Sequence, residues 1–109
     1  VSRTERDRIT DALSHIDALH RHLDRRDLPD ETVADAVSMR LAAAIDALRT
    51  PDGSLEGRLF GEDWQFMWAM RNRLTHGYIT VDLQIVEATI SGDLPDFERT
   101  LRAALDKLD

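Results

Sequence analysis

Cysteine is missing from all 109 residues, which removes disulfides, thiolate metal ligands and cysteine nucleophiles together. Long apolar runs are missing too. Nothing approaches the roughly 20 residues that cross a bilayer, and the N terminus has no signal-peptide pattern. A cytoplasmic protein without a membrane partner is therefore expected. Basic residues are in the minority: 14 Lys and Arg against 21 Asp and Glu leave a formal charge of -7 and a pI ≈ 5.0. Such a surface repels nucleic acid on average, because phosphate binding draws on clustered cations, but it leaves room for one local basic cleft. Internal repeats and low-complexity segments are absent. What remains, 42% hydrophobic and 32% charged residues, is the balance of a folded chain rather than a disordered one. Its length suits one domain, residues 1–109, with one modest core.

Apolar residues recur at helical spacing from the start. Ile9, Ala12, Leu13, Ile16, Leu19 and Leu23 form one stripe over about residues 3–24, with Ser2 and Glu5 at capping-box separation. The opposite face, with Arg6, Asp7, Asp11, Asp17, Arg21 and Asp24, reads as solvated. Leu28-Pro29-Asp30 ends this helix and starts another. Asp30 caps the second helix, over about residues 31–48, whose inward stripe is Val33, Val37, Leu41, Ala44, Ile45 and Leu48. Alanines 42 to 44 favour helix and let a neighbour approach closely. Thr50-Pro51-Asp52-Gly53-Ser54 is turn chemistry, so residues 51–61 read as a loop that folds Leu55, Leu59 and Phe60 back onto the core. After a third helix, residues 79–90 fit either a strand or a helix. A lone strand would have no partner for its backbone, so a helix over about residues 82–91, stopped by Gly92, is the expectation. Asp93-Leu94-Pro95-Asp96 then opens a last helix with Phe97, Leu101, Ala104, Leu105 and Leu108 inward. The result is an all-α, up-and-down bundle of about five helices.

The third helix carries the chemistry. Trp64-Gln-Phe-Met-Trp-Ala-Met-Arg-Asn-Arg-Leu-Thr-His-Gly-Tyr78 holds both tryptophans and the only tyrosine. It begins too apolar to face water and ends in Arg71, Asn72, Arg73, Thr75, His76 and Tyr78. Residues four apart share a helix face, so Trp64, Trp68, Asn72 and His76 line one edge, beside an apolar stripe of Met67, Met70 and Leu74. Gly77 suits the left-handed residue that ends a helix. In the last turn, the helix dipole favours the protonated form of His76. Arg71 lies about 140° around the helix from His76. A compact site using both is therefore easiest to build when a second copy of the helix faces the first.

An imidazole exchanges a proton near neutral pH, and a guanidinium grips phosphate through two parallel bonds. Together they suit phosphoryl chemistry without a metal. Each residue also has a plainer reading. His76 caps its own helix, Tyr78 packs at the helix end, and the tryptophans are core or subunit interface rather than base-stacking platforms. His15, His20 and His22 do not converge with carboxylates into a ligand set; no metal and no cofactor is expected.

Arg71-Asn72-Arg73-Leu74-Thr75-His76 resembles the Arg-polar-x-x-x-His motif of HEPN domains. With Gly77-Tyr78 the segment resembles the HepT-like toxins, whose pattern is Arg, four residues, His, one residue, Tyr. Val81-Asp82 and Asp93-Leu94-Pro95 fit the same frame, and the similarity is firmest from Trp64 to Pro95. The resemblance implies a single HEPN domain forming a homodimer, or a higher assembly, that acts as a metal-independent endoribonuclease on an RNA substrate. Arg71 and His76 would be catalytic and Asn72 would assist them, while Arg73 would either contact the RNA backbone or point to solvent. It further implies a toxin of a toxin–antitoxin module, silenced when a cognate minimal nucleotidyltransferase antitoxin transfers AMP to Tyr78. The competing reading is a catalytically inactive helical dimerisation or adaptor module that uses the same surface to hold a protein or a nucleotide.

Overall fold

A computed structural model of the chain describes residues 3–25, 30–75 and 83–108. Among them are six α-helices and no strand: α1 (Glu5–Arg25), α2 (Glu31–Ala47), α3 (Ser54–Phe60), α4 (Asp63–Thr75), α5 (Leu83–Ala88) and α6 (Leu94–Leu108). The all-α bundle expected from periodicity is present.

Local chemistry starts the first two helices. The Thr4 hydroxyl accepts the Asp7 N–H at 3.0 Å, and the Asp7 carboxylate accepts the Thr4 N–H at 3.0 Å. This reciprocal pair satisfies amides that the helix itself leaves open, and it holds the Asp7 carboxyl below its ordinary value. The cap thus lies two residues further along the chain than the expected Ser2–Glu5 pair. Ser2 lies outside the described residues, and Glu5 instead accepts from Arg58 Nη2 of α3 at 2.7 Å. Asp30 caps α2 as expected, its carboxylate accepting the Val33 N–H at 3.2 Å.

Helix α2 is the shared wall, packing against α1, α4 and α5. Its stripe of Val33, Val37, Leu41, Ala44, Ile45 and Leu48 is buried against Ile9, Leu13, Ile16 and Leu19 of α1. Buried Ala34, Ala42 and Ala44 carry no bulk to hold a neighbouring backbone away.

Two stretches differ from expectation. Residues 51–61 contain a two-turn helix, α3, where a loop was expected. Leu55 is fully buried, and Leu59 and Phe60 pack on the core, so the predicted fold-back is present in helical form. The buried Glu56 carboxylate accepts the Thr50 N–H at 2.8 Å and its hydroxyl at 2.5 Å, pinning the preceding turn to α3. This contact joins residues six apart across a turn, which helical periodicity does not reveal.

Gly92, in turn, does not stop a helix. The chain runs from α5 into α6 through a π-helical turn, Thr89–Asp93, where the Leu94 N–H reaches back to the Thr89 carbonyl. The cause is Pro95. A proline has no N–H to give, and its ring crowds the carbonyl four residues back. One extra residue in the preceding turn relieves that crowding and lets the helix continue. Val86, Leu94, Phe97 and Leu101 are buried along this continuous rod, and Ala104 and Leu105 pack partly on the core. Leu108, expected inward, is 42% exposed.

If α3 is a packed helix rather than a tethered loop, Leu55→Ala should destabilise the fold by about 2–5 kcal/mol, the usual loss for a buried leucine. Urea unfolding measures it. A loss below about 1 kcal/mol, typical of a surface substitution, would mean that α3 does not dock.

Candidate functional site

Helix α4 is apolar in composition yet has no fully buried residue. Trp64, Met67, Trp68 and Leu74 are half-buried against the core, whereas Phe66 is 69% exposed. The helix lies along the bundle with one side on α2 and α3 and the other side open. Beside it, a groove of ≈ 430 Å³ is lined by Phe60, Phe66, Met67 and Met70 with Asp63 and Asp93 at its edge. Arg71 and Asn72 take no part in that groove.

The α4 residues are reached by a row of rings. Phe97 of α6 stacks on Phe60 of α3 at 5.4 Å, Phe60 on Trp64 at 6.2 Å, and Trp64 on Trp68 at 5.9 Å. The last ring carries two cations: the guanidinium carbons of Arg71 and Arg49 are 4.7 and 4.6 Å from the Trp68 centroid. The indole face attracts a guanidinium through its quadrupole.

Arg71 is held from three directions. Its Nη2 is 3.3 Å from Asp46 Oδ1 at the end of α2, its Nη1 donates to Asn72 Oδ1 at 3.1 Å, and its carbon lies over Trp68. A guanidinium has five N–H bonds. Of those on Arg71, Nε–H is buried and unpartnered among the described residues. The cation is therefore fixed in place without being saturated. Asn72 has its carbonyl oxygen on Arg71, which leaves its NH2 group as a donor. Arg73, one residue on, is exposed. The Thr75 hydroxyl donates back to the Arg71 carbonyl at 3.0 Å, a common way for helical threonine to satisfy its hydroxyl.

Three of the five candidate site residues, Arg71, Asn72 and Arg73, are thus described, and the first two touch. His76 and Tyr78 lie outside the described residues, as do Gly77, Val81 and Asp82, so the expected Asn72–His76 contact and the Gly77 helix end lie there too. Sequence reasoning missed Asp46 and Arg49. Asp46 is in the last turn of α2 and Arg49 just follows its C-cap, and only the packing of α2 on α4 brings them to the Arg71–Trp68 surface. No spacing along the chain carries that information.

The remaining histidines go elsewhere. His15 Nδ1 accepts from Arg40 Nη1 at 3.0 Å, and His20 Nε2 is 3.2 Å from Glu98 Oε1. Among the described residues no group of three or more His, Cys, Asp or Glu side chains could hold a metal ion, and no helix is long and apolar enough to cross a membrane.

The family model for ribonuclease HepT-like proteins matches residues 9–104, a span that includes α4 and both candidate motif ends. Neither the curated proteins nor the solved structures include a match to the chain.

Two measurements check this geometry. Asp46 is 54% and Arg71 23% exposed at the side chain, and such partly solvated pairs contribute about 0.2–1 kcal/mol. A double-mutant cycle on unfolding, using Asp46→Ala and Arg71→Ala, should therefore give a coupling in that range. A coupling of zero would mean that the pair does not form. The second concerns His15. Burial, then the Arg40 charge, pushes its pKa below the ordinary 6.5. The folded chain then binds fewer protons than the unfolded one just below that pH. This histidine's contribution to stability is present above pH 6.5 and lost as the pH falls through the folded value. An NMR titration should give a midpoint below 6.5, rising in Arg40→Gln.

Proposed function

Because the chain belongs to the HepT-like ribonuclease family, we propose that it is a metal-independent endoribonuclease, the toxin of a toxin–antitoxin module. The observation that carries the reading is the state of Arg71: a cation anchored by Asp46, Asn72 and Trp68, with its buried Nε–H unpartnered among the described residues. A preorganised cation of that kind suits charge that builds up in a transition state, because nothing has to reorganise when the charge appears.

In the reaction, a ribose 2′-oxygen attacks the adjacent phosphorus while the bond to the 5′-oxygen breaks, leaving a 2′,3′-cyclic phosphate and a new 5′-hydroxyl. His76 takes the proton from the 2′-hydroxyl, and the second subunit's His76 gives one to the departing 5′-oxygen. Arg71 offsets the extra negative charge on the phosphoryl oxygens. Asn72, its oxygen engaged by Arg71, donates through its NH2 to a phosphate oxygen, and Arg73 contacts the RNA backbone. Phe66, 69% exposed on the open side of α4, supports a homodimer in which two such helices share one cleft.

Regulation follows from Tyr78. AMP transferred to its phenol by a minimal nucleotidyltransferase antitoxin adds bulk and negative charge two residues from His76, which repels RNA by shape and by charge. The excess of acidic residues favours the second reading, a non-catalytic helical module holding a protein or nucleotide at the same face.

Purified protein incubated with RNA and a chelator separates the two. New ends carrying cyclic phosphate should appear, and they should vanish in His76→Ala. Arg71→Ala should lower the rate about 100-fold or more, the scale for losing a transition-state donor. Cleavage that survives His76→Ala would overturn the assignment, and an intact chain that cuts no RNA would leave the adaptor reading.

A further inference from the structure

We propose that Arg49, set on Trp68 beside Arg71, is a binding residue for a second phosphate of the RNA strand, next to the one being cut. The proposal rests on the ribonuclease reading above and assigns a role to a residue outside the Arg-x4-His motif.

Position comes first. Arg49 follows the C-cap of α2, 22 positions before Arg71 in the sequence, yet both guanidiniums stand on one indole. With each carbon less than 5 Å from the same centroid, the two cations lie at most about twice that distance apart. That is within reach of neighbouring groups on one sugar–phosphate strand.

Rigidity is the second observation. The Arg49 carbonyl accepts from Arg8 Nη1 of α1 at 2.6 Å, and its N–H bonds the Asp46 carbonyl at 3.2 Å. The backbone is tied to α1 and α2 while the side chain, exposed overall, is steadied by the indole.

Charge is the third. Acidic residues outnumber basic ones in this chain, and several exposed arginines are neutralised: Arg3 by Asp11, Arg58 by Glu5, Arg99 by Asp96 and Arg102 by Asp17. Arg49 has no carboxylate partner among the described residues, and of the two carboxylates three positions away in sequence, Asp46 is engaged by Arg71 and Asp52 accepts the Ser54 N–H. A cation kept in place and left unneutralised beside a candidate catalytic arginine suits an anionic ligand. A planar guanidinium on an aromatic face matches phosphate through its fork. A purely stabilising contact between Arg49 and Trp68 would serve the α2–α4 junction equally well, so the test must separate the two roles.

Binding is measured by fluorescence anisotropy with a labelled single-stranded oligouridylate, in the full-length His76→Ala chain so that no cleavage intervenes. Arg49→Ala should weaken binding about tenfold, the scale of one charge-assisted hydrogen bond. It should also lower the salt slope, log K against log of salt, by about 0.7, the value for one phosphate contact on a single strand. Arg49→Lys, which keeps the charge, should keep the slope. With His76 restored, Arg49→Ala should raise KM about tenfold while kcat at saturating RNA falls about twofold or less. An unchanged salt slope in Arg49→Ala, with or without weaker binding, overturns the proposal and leaves a structural role. Binding of free AMP with no gain from a longer strand overturns it too. If the parent chain neither binds nor cuts RNA, the ribonuclease reading itself falls, an outcome distinct from an Arg49 defect in an active enzyme.

Discussion

The contact of α2 with α4 is the constraint on which the candidate site depends. Helix α2 buries one stripe against α1 and then serves α4 with its C-terminal half. Ala42 and Ala44 are buried there and add little bulk between the axes. Close approach brings Asp46 within 3.3 Å of Arg71 and stands Arg49 over Trp68. A wider spacing would leave Arg71 as one more solvated cation. The site therefore draws its geometry from apolar packing several residues away, and its polar contacts contribute placement more than stability. A pair as exposed as Asp46 and Arg71 gains little from Coulomb attraction in high dielectric, whereas restricting a long side chain to one orientation matters to any reaction needing a fixed charge.

The ring row acts along the same line. Phe97, Phe60, Trp64 and Trp68 connect the α6 core to the surface of α4, so the indole beneath Arg71 is backed by other rings rather than by water. Such backing matters because the attraction of a cation to an aromatic face grows as the contact is desolvated. Trp68 thus joins two tasks that a plain reading keeps separate. It is partly core and partly the floor of a cation pair.

Much of the bundle was legible in the sequence, because a 3.6-residue apolar period and its stop signals are local properties. The stripes of α1 and α2 are buried almost residue for residue, and Asp30 caps as its type and place suggest. What was not legible depends on contacts between distant segments or on competition between local rules. Turn chemistry at residues 50–54 hid the short α3, whose helix is secured by Leu55 in the core and Glu56 on Thr50. Gly92 reads as a stop, but a π-turn absorbs Pro95 and the rod runs on. At the site, Arg71, Asn72 and Arg73 stood out from the apolar helix that carries them. Asp46 and Arg49 did not, since at and just past the end of α2 they look like ordinary charges.

An acidic ribonuclease is less of a contradiction than its net charge suggests. Counterion release counts the phosphates neutralised where the strand lies, not the total charge of the chain. Most of the basic side chains that pair with carboxylates here, such as Arg58 and Arg102, do so on the faces of α1, α3 and α6. Around Trp68 the balance is reversed: two guanidiniums approach one ring, and only Arg71 of the two has a carboxylate partner among the described residues, with exposed Arg73 on the next turn. Acidic surroundings would disfavour a strand that strays from these cations over the rest of the surface. An added negative charge would also meet few cations there to oppose it, since acidic residues outnumber basic ones in the chain. The AMP proposed for Tyr78 would add its negative charge to those surroundings, two residues along the sequence from His76.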